Sequence, residues 1–489
     1  MKRKVIMLLL MTMTAAMLAT GCKSNTNTSE NTVTSEQSAT ENASIDLITE
    51  WEAKASVTWG DKVKINGDGI SQDGDVLTIT EGGAYTFTGT SDQICILVDT
   101  EDDVKIVLNG VELTNATGPV IYGKNSNSIY IETAEGTTNV LSDGSDYDTD
   151  DDGKAIGKAT IFSKDDLVFL GSGSLEVTGN FKHGICSNDG IYFEGGTYDI
   201  TASVKDGVHA NDLITVDDGT FTIHAASDDM ESEGDFVMNG GSITGSSDDE
   251  GLESKNIMTI NGGTIDLSVV EDGLNATSQI IINDGDIHIT ASTGDAIDSN
   301  GTLTINGGNI VAYGGAAPEG ALDCDQQEIL INGGTLVAVG DENSPISEDS
   351  EQASVLLGSY TKGSVIALLD ASGNEVFSFT LEDSKSNIVL SVAGLTSGET
   401  YTITVDGAED QTFTADSMVI SAGGTAGTMG GGPMGQQGMN GDMGMEAPQG
   451  TDGEAPRQNM NGDGNMPQMG EKPSQGGGNM QPPQGTQTN

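Results

Sequence analysis

Lys205-Asp-Gly-Val-His-Ala-Asn211 is the stretch that decides the fold, because similar lines of sequence follow it at nearly constant spacing. These lines occupy residues 227–233, 249–255, 271–277 and 294–300, in steps of 22, 22, 22 and 23 residues. A second line, most often Asn-Gly-Gly, recurs between them and begins at Glu194, Asp217, Asn239, Asn261, Asn283, Asn306 and Asn332. A fixed period of this size is typical of a solenoid, in which each repeat forms one coil against its neighbours.

Aligning the repeats by column separates side chains that face the core from side chains that face outward. The column of Val208 is apolar throughout: Ile121, Ile161, Ile185, Val208, Met230, Leu252, Leu274, Ile297 and Leu322. The column two residues later holds small residues, mostly Ser and Ala. Because successive residues of a strand point to opposite faces, the column between these two is predicted to face outward. It comprises Tyr122, Phe162, Cys186, His209, Glu231, Glu253, Asn275, Asp298 and Asp323.

Another alternating strand follows each glycine turn, and no stretch has the pattern of a long amphipathic helix. Stacked coils of short strands pair in parallel about 4.8 Å apart. The sequence therefore predicts an all-β chain, a parallel β-helix of roughly ten coils. The crossover preference of parallel strands predicts that the helix is right-handed.

Composition and pattern divide the chain into five predicted segments. An open end of a β-helix exposes unpaired strand edges, so the less regular strands after the repeats are expected to cover the last coil. The segments are a lipoprotein signal peptide at 1–21, a flexible tether at 22–56, the β-helix at 57–345, a small antiparallel β cap at 346–422 and a disordered Gly-, Met-, Pro- and Gln-rich tail at 423–489.

The N-terminus has the features of an export signal. Lys2-Arg3-Lys4 precedes a mostly apolar run, and Ala19-Thr20-Gly21-Cys22 is similar to a lipoprotein cleavage box with Cys22 as the lipidated residue. The alternative is an ordinary signal peptide cut nearby. The apolar run is too short for a durable membrane-spanning helix. We therefore expect an exported protein that is lipid-anchored through Cys22 to the outer face of a bacterial membrane.

The charge of the chain excludes one class of partner. It has 75 Asp and Glu against 19 Lys and Arg, a net charge of −56. Nucleic acid is excluded as a partner because its binding needs basic contacts to phosphates. The three cysteines after Cys22 are far apart in sequence and show no metal-binding spacing, so neither a zinc motif nor a disulfide framework is predicted.

Two columns of the repeat are acidic. One lies two residues before the apolar column and comprises Asp206, Asp228, Glu250, Asp272 and Asp295. The other is the outward column with Glu231, Glu253, Asp298 and Asp323, and Asp229 lies beside them. Carboxylates stacked about 4.8 Å apart repel one another, and Ca²⁺ at 2.3–2.6 Å from its ligands would bridge adjacent coils. We predict Ca²⁺ sites here; the alternative is a solvated acidic face. The lack of a recognised His or Cys cluster disfavours zinc and copper.

A second calcium candidate is the run Asp148-x-Asp150-x-Asp152-Gly153. It matches the first half of an EF-hand loop, but Ala159 stands at the twelfth position instead of the bidentate Glu. An isolated EF-hand is therefore rejected, and a calcium loop or a plain polar loop both remain open.

The sequence assigns no catalytic residue. No nucleophile elbow, HExxH motif or phosphate-binding glycine loop occurs. His209 is expected at the surface of the outward column, and Tyr122 and Phe162 form an aromatic pair there. We predict that these three residues belong to the ligand-binding face.

Several features together resemble a known family. They are the lipoprotein-like start, the segment Thr137-Thr-Asn-Val-Leu-Ser-Asp-Gly144, the Asp-Gly-Val-like coil starts, the Asn-Gly-Gly turns and the Met- and Gly-rich tail. Over residues 57–420 the chain resembles the bacterial β-helical carbohydrate-binding proteins of clostridial cellulose degraders. The resemblance implies a pectate-lyase-like fold, calcium binding, and binding of cellulose or acidic pectin from plant cell walls. It assigns no individual calcium ligand.

We therefore expect a monomeric, non-catalytic protein that binds polysaccharide in a calcium-dependent manner. The first alternative is a calcium-dependent pectate lyase, and the second is an adhesin or a structural spacer. A polyanionic pectin cannot be attracted directly to a chain of charge −56, so its binding would require calcium between protein and uronate carboxylates.

Overall fold

The computed structural model describes residues 45–60, 62–325 and 327–425. Within these ranges the chain is all β, and no helix is present. These ranges therefore contain no helix long and apolar enough to span a membrane. The predicted signal peptide, Cys22, most of the predicted tether and the tail from residue 426 lie outside the described residues.

The strands are short and numerous. The N-terminal ones are β1 Ala53–Thr58, β2 Lys64–Gly67, β3 Ile70–Asp73, β4 Val76–Ile79, β5 Gly83–Ser91, β6 Cys95–Asp99, β7 Val104–Asn115, β8 Ile121–Asn125, β9 Ser128–Thr133 and β10 Thr138–Asp143. Those of the repeats are β11 Ala159–Ser163, β12 Asp166–Gly171, β13 Ser174–Gly179, β14 His183–Ser187, β15 Gly190–Ala202, β16 Val208–Ala210, β17 Leu213–Ala225, β18 Met230–Ser232, β19 Asp235–Met238, β20 Ser242–Ser247, β21 Leu252–Ser254, β22 Ile257–Ile260, β23 Thr264–Val269, β24 Leu274–Ala276, β25 Gln279–Ile282, β26 Asp286–Ala291, β27 Ile297–Ser299, β28 Thr302–Ile305, β29 Asn309–Tyr313, β30 Leu322–Cys324, β31 Leu330–Ile331 and β32 Thr335–Gly340. The C-terminal ones are β33 Ser354–Leu357, β34 Val365–Leu369, β35 Glu375–Thr380, β36 Asn387–Val392, β37 Thr400–Val405, β38 Ala408–Thr414 and β39 Val419–Ala422.

Three ladders of parallel strands run along the molecule and form a β-solenoid, which confirms the predicted fold. One ladder is a separate sheet in which β4, β6, β8, β11, β14, β16, β18, β21, β24, β27 and β30 pair in succession. Among the described residues it holds eleven parallel strands, one for each coil, close to the ten expected. The other two ladders share the long strands β15 and β17. These strands bend at Gly196 and Gly219, which have φ of 110° and 130°, values that favour glycine.

The core is the stacked inner faces of the three ladders. The column of Val208, predicted to be apolar and inward, is fully buried in every coil from Ile121 to Leu322. These side chains belong to one continuous hydrophobic cluster that begins at Val57 and reaches Val389. A thin, continuous core is possible because each coil buries its apolar residues against the coils on either side.

The Asn-Gly-Gly turns stack into a ladder of side-chain amides. Asn261, Asn283, Asn306 and Asn332 each donate from Nδ2 to Oδ1 of the preceding turn's asparagine, at 2.7–2.9 Å. The amide has both a donor and an acceptor, so the column satisfies itself from coil to coil. The glycine that ends the turn, for example Gly263, has a φ of 94°. The motif is therefore explained by turn geometry and stacking.

Antiparallel strands close the C-terminal end of the solenoid, as predicted. Strand β36 pairs antiparallel with β32 and β33 and so covers the edge of the last coil. Strands β35, β34, β37 and β38 form a separate four-stranded antiparallel sheet. At the other end β1 begins at Ala53, four residues before the predicted start of the solenoid. Trp51, in the segment predicted to be a tether, packs against Tyr130 with ring centroids 4.9 Å apart.

One coil carries a carboxylate inside the core. Asp229 occupies the place that Gly207 and Gly251 hold in the flanking coils, and its side chain is 0% exposed. Neither of its carboxyl oxygens has a hydrogen-bond partner. The side chain fits because Gly245 stands where the preceding coil has Ile223 and the following coil has Leu267. A Cβ at Gly245 would lie 2.1 Å from Asp229 Oδ2.

Asp229 was predicted among the metal ligands, but the structure directs its carboxyl group into the apolar interior. Burial raises the pKa of Asp229 to about 8. A carboxyl group whose pKa is higher in the folded than in the unfolded state favours folding at low pH. That contribution is lost as the pH rises from about 4 toward 8.

We predict that the double substitution Asp229→Gly and Gly245→Ile, which copies the preceding coil, stabilises the protein. The expected gain in the free energy of unfolding is about 1–3 kcal/mol, the usual cost of an unpartnered buried polar group. The gain should be larger at pH 9 than at pH 5, and denaturant unfolding at both pH values measures it. The exposed Asp248→Asn in the same coil is the control and should change neither value. Parallel pH profiles for the wild type and the double variant would contradict the prediction.

Candidate functional site

The candidate site lies on the ladder of shortest strands, where β16, β18 and β21 each contain three residues. In each strand the first residue is apolar and buried, and the last is small. The middle residues His209, Glu231 and Glu253 are in register with one another. The predicted outward column is thus a true column of the fold, with its members on adjacent coils.

The carboxylates two residues before the apolar column form a second row, which we call the corner column: Asp206, Asp228, Glu250, Asp272 and Asp295. Several accept a hydrogen bond from the next coil. The NH of Glu250 donates to Asp228 Oδ1 at 3.2 Å, and the NH of Asp295 donates to Asp272 Oδ1 at 2.7 Å. Asp206, Asp228 and Asp295 are buried, so these members do not belong to a solvated acidic face.

Three carboxylates converge between two coils and form what we call the inner trio: Asp228, Glu250 and Glu253. Each offers one oxygen, and the three oxygens lie within 4.8 Å of one another. Burial raises the pKa of Asp228, and the hydrogen bond and charge of Glu250 add to the effect. Burial also raises the pKa of Glu250 and of Glu253. The group therefore resists carrying three negative charges without a cation.

One lysine partly compensates this charge. Lys255 Nζ contacts Glu253 and lies 3.5 Å from Oε1 of Glu231. Both carboxylates are nearly buried, whereas the lysine is more exposed. Lys255 therefore compensates Glu253 but does not contact Asp228 or Glu250.

An outer trio adjoins the inner one and shares Glu250 with it. Asp249, Glu250 and Glu271 bring one oxygen each within 4.8 Å. Asp249 and Glu250 are half-buried, and Glu271 is exposed. The two trios together therefore extend from the buried Asp228 to the solvent-exposed Glu271.

Two histidines contact Asp206, the corner-column member one coil before Asp228. His183 Nδ1 and His209 Nδ1 lie 3.0 and 3.1 Å from Asp206 Oδ2, and His209 Nδ1 lies 2.9 Å from Glu231 Oε2. We call these four residues the imidazole group. Burial opposes the charged form of His209, but Asp206 and Glu231 outweigh it and raise the pKa of His209 to about 9. Burial would raise the pKa of Asp206, yet the two imidazoles hold it below its usual range.

The imidazole group corrects two predictions. His209 was expected at the surface, but it is 9% exposed, because His183 stacks on it at 4.6 Å and two carboxylates flank it. The expectation that no histidine cluster exists was also wrong. The repeat did contain the signal, since His183 stands two residues before Ile185 and so occupies the corner column one coil before Asp206.

The remaining members of the two acidic columns do not converge in the same way. Asp272 Oδ2 accepts from Asn275 Nδ2 at 3.1 Å, and Asp323 Oδ1 accepts from the hydroxyl of Ser344. Burial and neighbouring carboxylates raise the pKa of Asp298 to about 7. Across the described ranges, no group of three ligands within 4.8 Å includes Asp272, Asp295, Asp298 or Asp323.

The predicted calcium loop is a tight turn. Asp150 Oδ1 accepts hydrogen bonds from the NH groups of Asp152 and Lys154 at 3.0 and 2.9 Å. Asp148, Asp150 and Asp152 are exposed, and they form no converging three-ligand group among the residues described. The structure therefore fits the polar-loop alternative at this position.

Comparison with known proteins gives the family. The family described as carbohydrate-binding domain-containing protein matches residues 73–320 and 242–441, which together cover most of the chain. The chain belongs to this carbohydrate-binding family. A protein of Acetivibrio thermocellus with the same description is 41% identical over 133 residues, which are 26% of this chain and 46% of the relative. The match thus spans about half the length of that curated relative.

A solved structure is also similar, a polysaccharide lyase-like protein from C. thermocellum described as a gadolinium derivative. It has 28% sequence identity to this chain and a TM-score of 0.41. The match covers 54% of this chain and 99% of that chain.

Aromatic side chains often bind sugars in carbohydrate-binding proteins, but here the predicted aromatic face is largely covered. Tyr122 and Phe162 stack with centroids 5.6 Å apart, yet Phe162 is only 4% exposed and Cys186 beside it is fully buried. Lys158 lies over the ring of Phe162 at 5.9 Å, and Gly157 packs close to the same ring. Gly157 and Lys158 lie in an insertion between Ile121 and Ile161 of the apolar column, and the position of this insertion over the outward column was not predicted.

We predict that Lys255 and Glu253 are energetically coupled. In chelator-treated protein, Lys255→Met should destabilise the fold because it leaves the nearly buried carboxylate of Glu253 without a cation. A double-mutant cycle with Glu253→Gln should give a coupling of about 1–3 kcal/mol in the free energy of unfolding. The exposed pair Lys124 and Asp99, whose atoms are 2.7 Å apart, is the matched control and should give less than about 1 kcal/mol. Equal coupling in the two pairs would show that burial of the carboxylates has no effect.

Proposed function

We propose that this protein binds acidic polysaccharides through calcium ions held by the inner and outer trios. The observation that carries the proposal is the convergence of Asp228, Glu250 and Glu253, three carboxylates beside which the described part of the chain places one lysine. Membership of a carbohydrate-binding family supports a polysaccharide as the ligand. Calcium dependence and the acidic nature of the glycan are our own inference.

Calcium fits the chemistry of the two trios. Ca²⁺ takes several carboxylate oxygens at 2.3–2.6 Å, so two oxygens bound to one ion lie at most about 5 Å apart. The three oxygens of each trio lie within 4.8 Å of one another. All the ligands are hard oxygen donors, which suit calcium better than zinc or copper. A divalent cation would also replace the proton that the raised pKa values of Asp228 and Glu250 retain in its absence.

The outer trio supports an acidic glycan. A chain with a net charge of −56 repels a polyuronate, so contact with one requires a cation between the two sets of carboxylates. Asp249 and Glu250 are half-buried, whereas Glu271 is exposed. An ion held there would keep coordination positions open toward solvent, and a uronate carboxylate would occupy them.

We place this binding at the outside of the cell. The sequence Ala19-Thr20-Gly21-Cys22 supports lipid attachment at Cys22, which would display the solenoid from the outer face of a bacterial membrane. Weak calcium sites are filled at extracellular calcium concentrations. The two parts of the proposal agree, since export delivers the trios to the ion that they require.

Binding to polygalacturonate, measured by affinity electrophoresis and calorimetry, tests the proposal. Calcium should support binding and EDTA should abolish it. Glu250→Gln, which removes the carboxylate shared by both trios, should weaken calcium and polygalacturonate binding about tenfold or more. Asp199→Asn, an exposed acid on β15, is the matched control and should bind as the wild type does.

Two results would contradict the proposal. One is undiminished polygalacturonate binding in EDTA, and the other is equal affinity for polygalacturonate and for a neutral glucan. The same samples should show no rise in the ultraviolet absorbance of unsaturated uronides. Such a rise, dependent on calcium, would instead identify the protein as a lyase.

A further inference from the structure

The imidazole group is a second site, distinct in chemistry from the two trios. His183 comes from β14, Asp206 and His209 from the next coil, and Glu231 from β18 on the coil after that. The ligand atoms of His183, Asp206 and His209 all lie within 4.8 Å of one another. These three ligands come from two consecutive coils, and Glu231 of the third coil reaches them through His209 Nδ1, 2.9 Å from Glu231 Oε2.

Two atoms in this group have unused bonding capacity. His183 is 7% exposed and Asp206 is 0% exposed. The Nδ1 of His183 lies 3.0 Å from Asp206 Oδ2, yet it makes no hydrogen bond, and Oδ1 of Asp206 has no partner either. A buried nitrogen and a buried carboxylate oxygen without partners carry a cost. A ligand that accepts electron pairs from both would remove it.

We propose that His183, Asp206, His209 and Glu231 bind a transition-metal ion of the Zn²⁺ class. Imidazole nitrogen together with carboxylate oxygen is a donor set that suits Zn²⁺ and not Ca²⁺, which prefers oxygen alone. Bonds of about 2.0–2.2 Å in a tetrahedral site place neighbouring ligand atoms ~3.3 Å apart. Three of the six separations in such a site are observed at 2.9, 3.0 and 3.1 Å, close to this spacing.

The surroundings favour a structural ion. His183, Asp206 and His209 supply three converging ligands, and Glu231 as the fourth would close a tetrahedral shell, as in structural zinc sites. The group is nearly buried, and its ligands join three coils that are otherwise held by strand pairing and by the core. The inner trio uses Asp228, Glu250 and Glu253, so the zinc site and the calcium site adjoin without a common ligand, since Asp228 also lies within 4.8 Å of Asp206 and Glu231. A +2 ion would also neutralise the charges of Asp206 and Glu231.

Co²⁺ and Zn²⁺ titrations of the untagged chain, stripped with a chelator and then saturated with calcium, test the site. One Co²⁺ per chain should bind with the visible absorption of a tetrahedral complex, and Zn²⁺ should displace it and raise the melting temperature. His183→Gln and His209→Gln should each weaken binding about tenfold or more. His288→Gln is the matched control, because His288 is an exposed histidine beside Asp266 and Glu382 and should not contribute.

The two metal proposals are separable. Glu250→Gln should leave Co²⁺ binding unchanged, and His183→Gln should leave calcium-dependent polygalacturonate binding unchanged. X-ray absorption of the zinc-loaded wild type gives a readout that does not depend on whether a variant folds, and it should show two imidazole ligands. Absence of stoichiometric binding, loss of binding in His288→Gln, or a zinc spectrum without imidazole would each overturn the proposal.

Discussion

Parallel stacking of coils is the constraint on which the rest of this structure depends. Strands paired about 4.8 Å apart place each side chain directly against its counterpart in the coil above and in the coil below. A residue type suits a column of the solenoid only if its side chain can pack against the residues at the same position in the two adjacent coils. Apolar columns satisfy this condition easily, and the buried column from Ile121 to Leu322 is the result. A polar column can stack in this way only when each side chain both donates and accepts a hydrogen bond, or when other groups supply the missing donors or the compensating charge.

The asparagine and corner columns show these two outcomes side by side. Asn261, Asn283, Asn306 and Asn332 bond to one another, because an amide presents a donor to one neighbour and an acceptor to the other. A carboxylate has only acceptors, so stacking it on a second carboxylate gives repulsion and two unsatisfied groups. The corner column meets part of this need with backbone NH groups, as Asp272 does with Asp295. The negative charge that these NH groups do not offset must be compensated by bound protons, by basic side chains or by cations.

The fold could be predicted well from the sequence because the same pattern of apolar, small and turn residues recurs in each coil. The period, the apolar column, the outward column and the C-terminal cover could all be read from alternation and spacing, and the strand register confirms them. Exposure was harder to predict, since it depends on what lies above a column. Phe162 points outward as predicted but is covered by the insertion near Lys158. His183 was not predicted, although the repeat places it in the same column as Asp206. Asp229 could be placed inward only with knowledge of the space left by Gly245.

The compensation of charge changes from coil to coil, and this change localises the candidate site. At the first acidic coil, two imidazoles face Asp206. Two coils farther, Lys255 contacts Glu253 and approaches Glu231 of the coil between. Farther on, Asn275 interrupts the outward column with a neutral amide that donates to Asp272. Between these positions lie Asp228 and Glu250, which contact each other and have no basic partner among the ion pairs of the described residues. A regular acidic ladder would bring its carboxylates together evenly along the solenoid, whereas in the described residues the converging groups of carboxylates lie between Asp206 and Glu271.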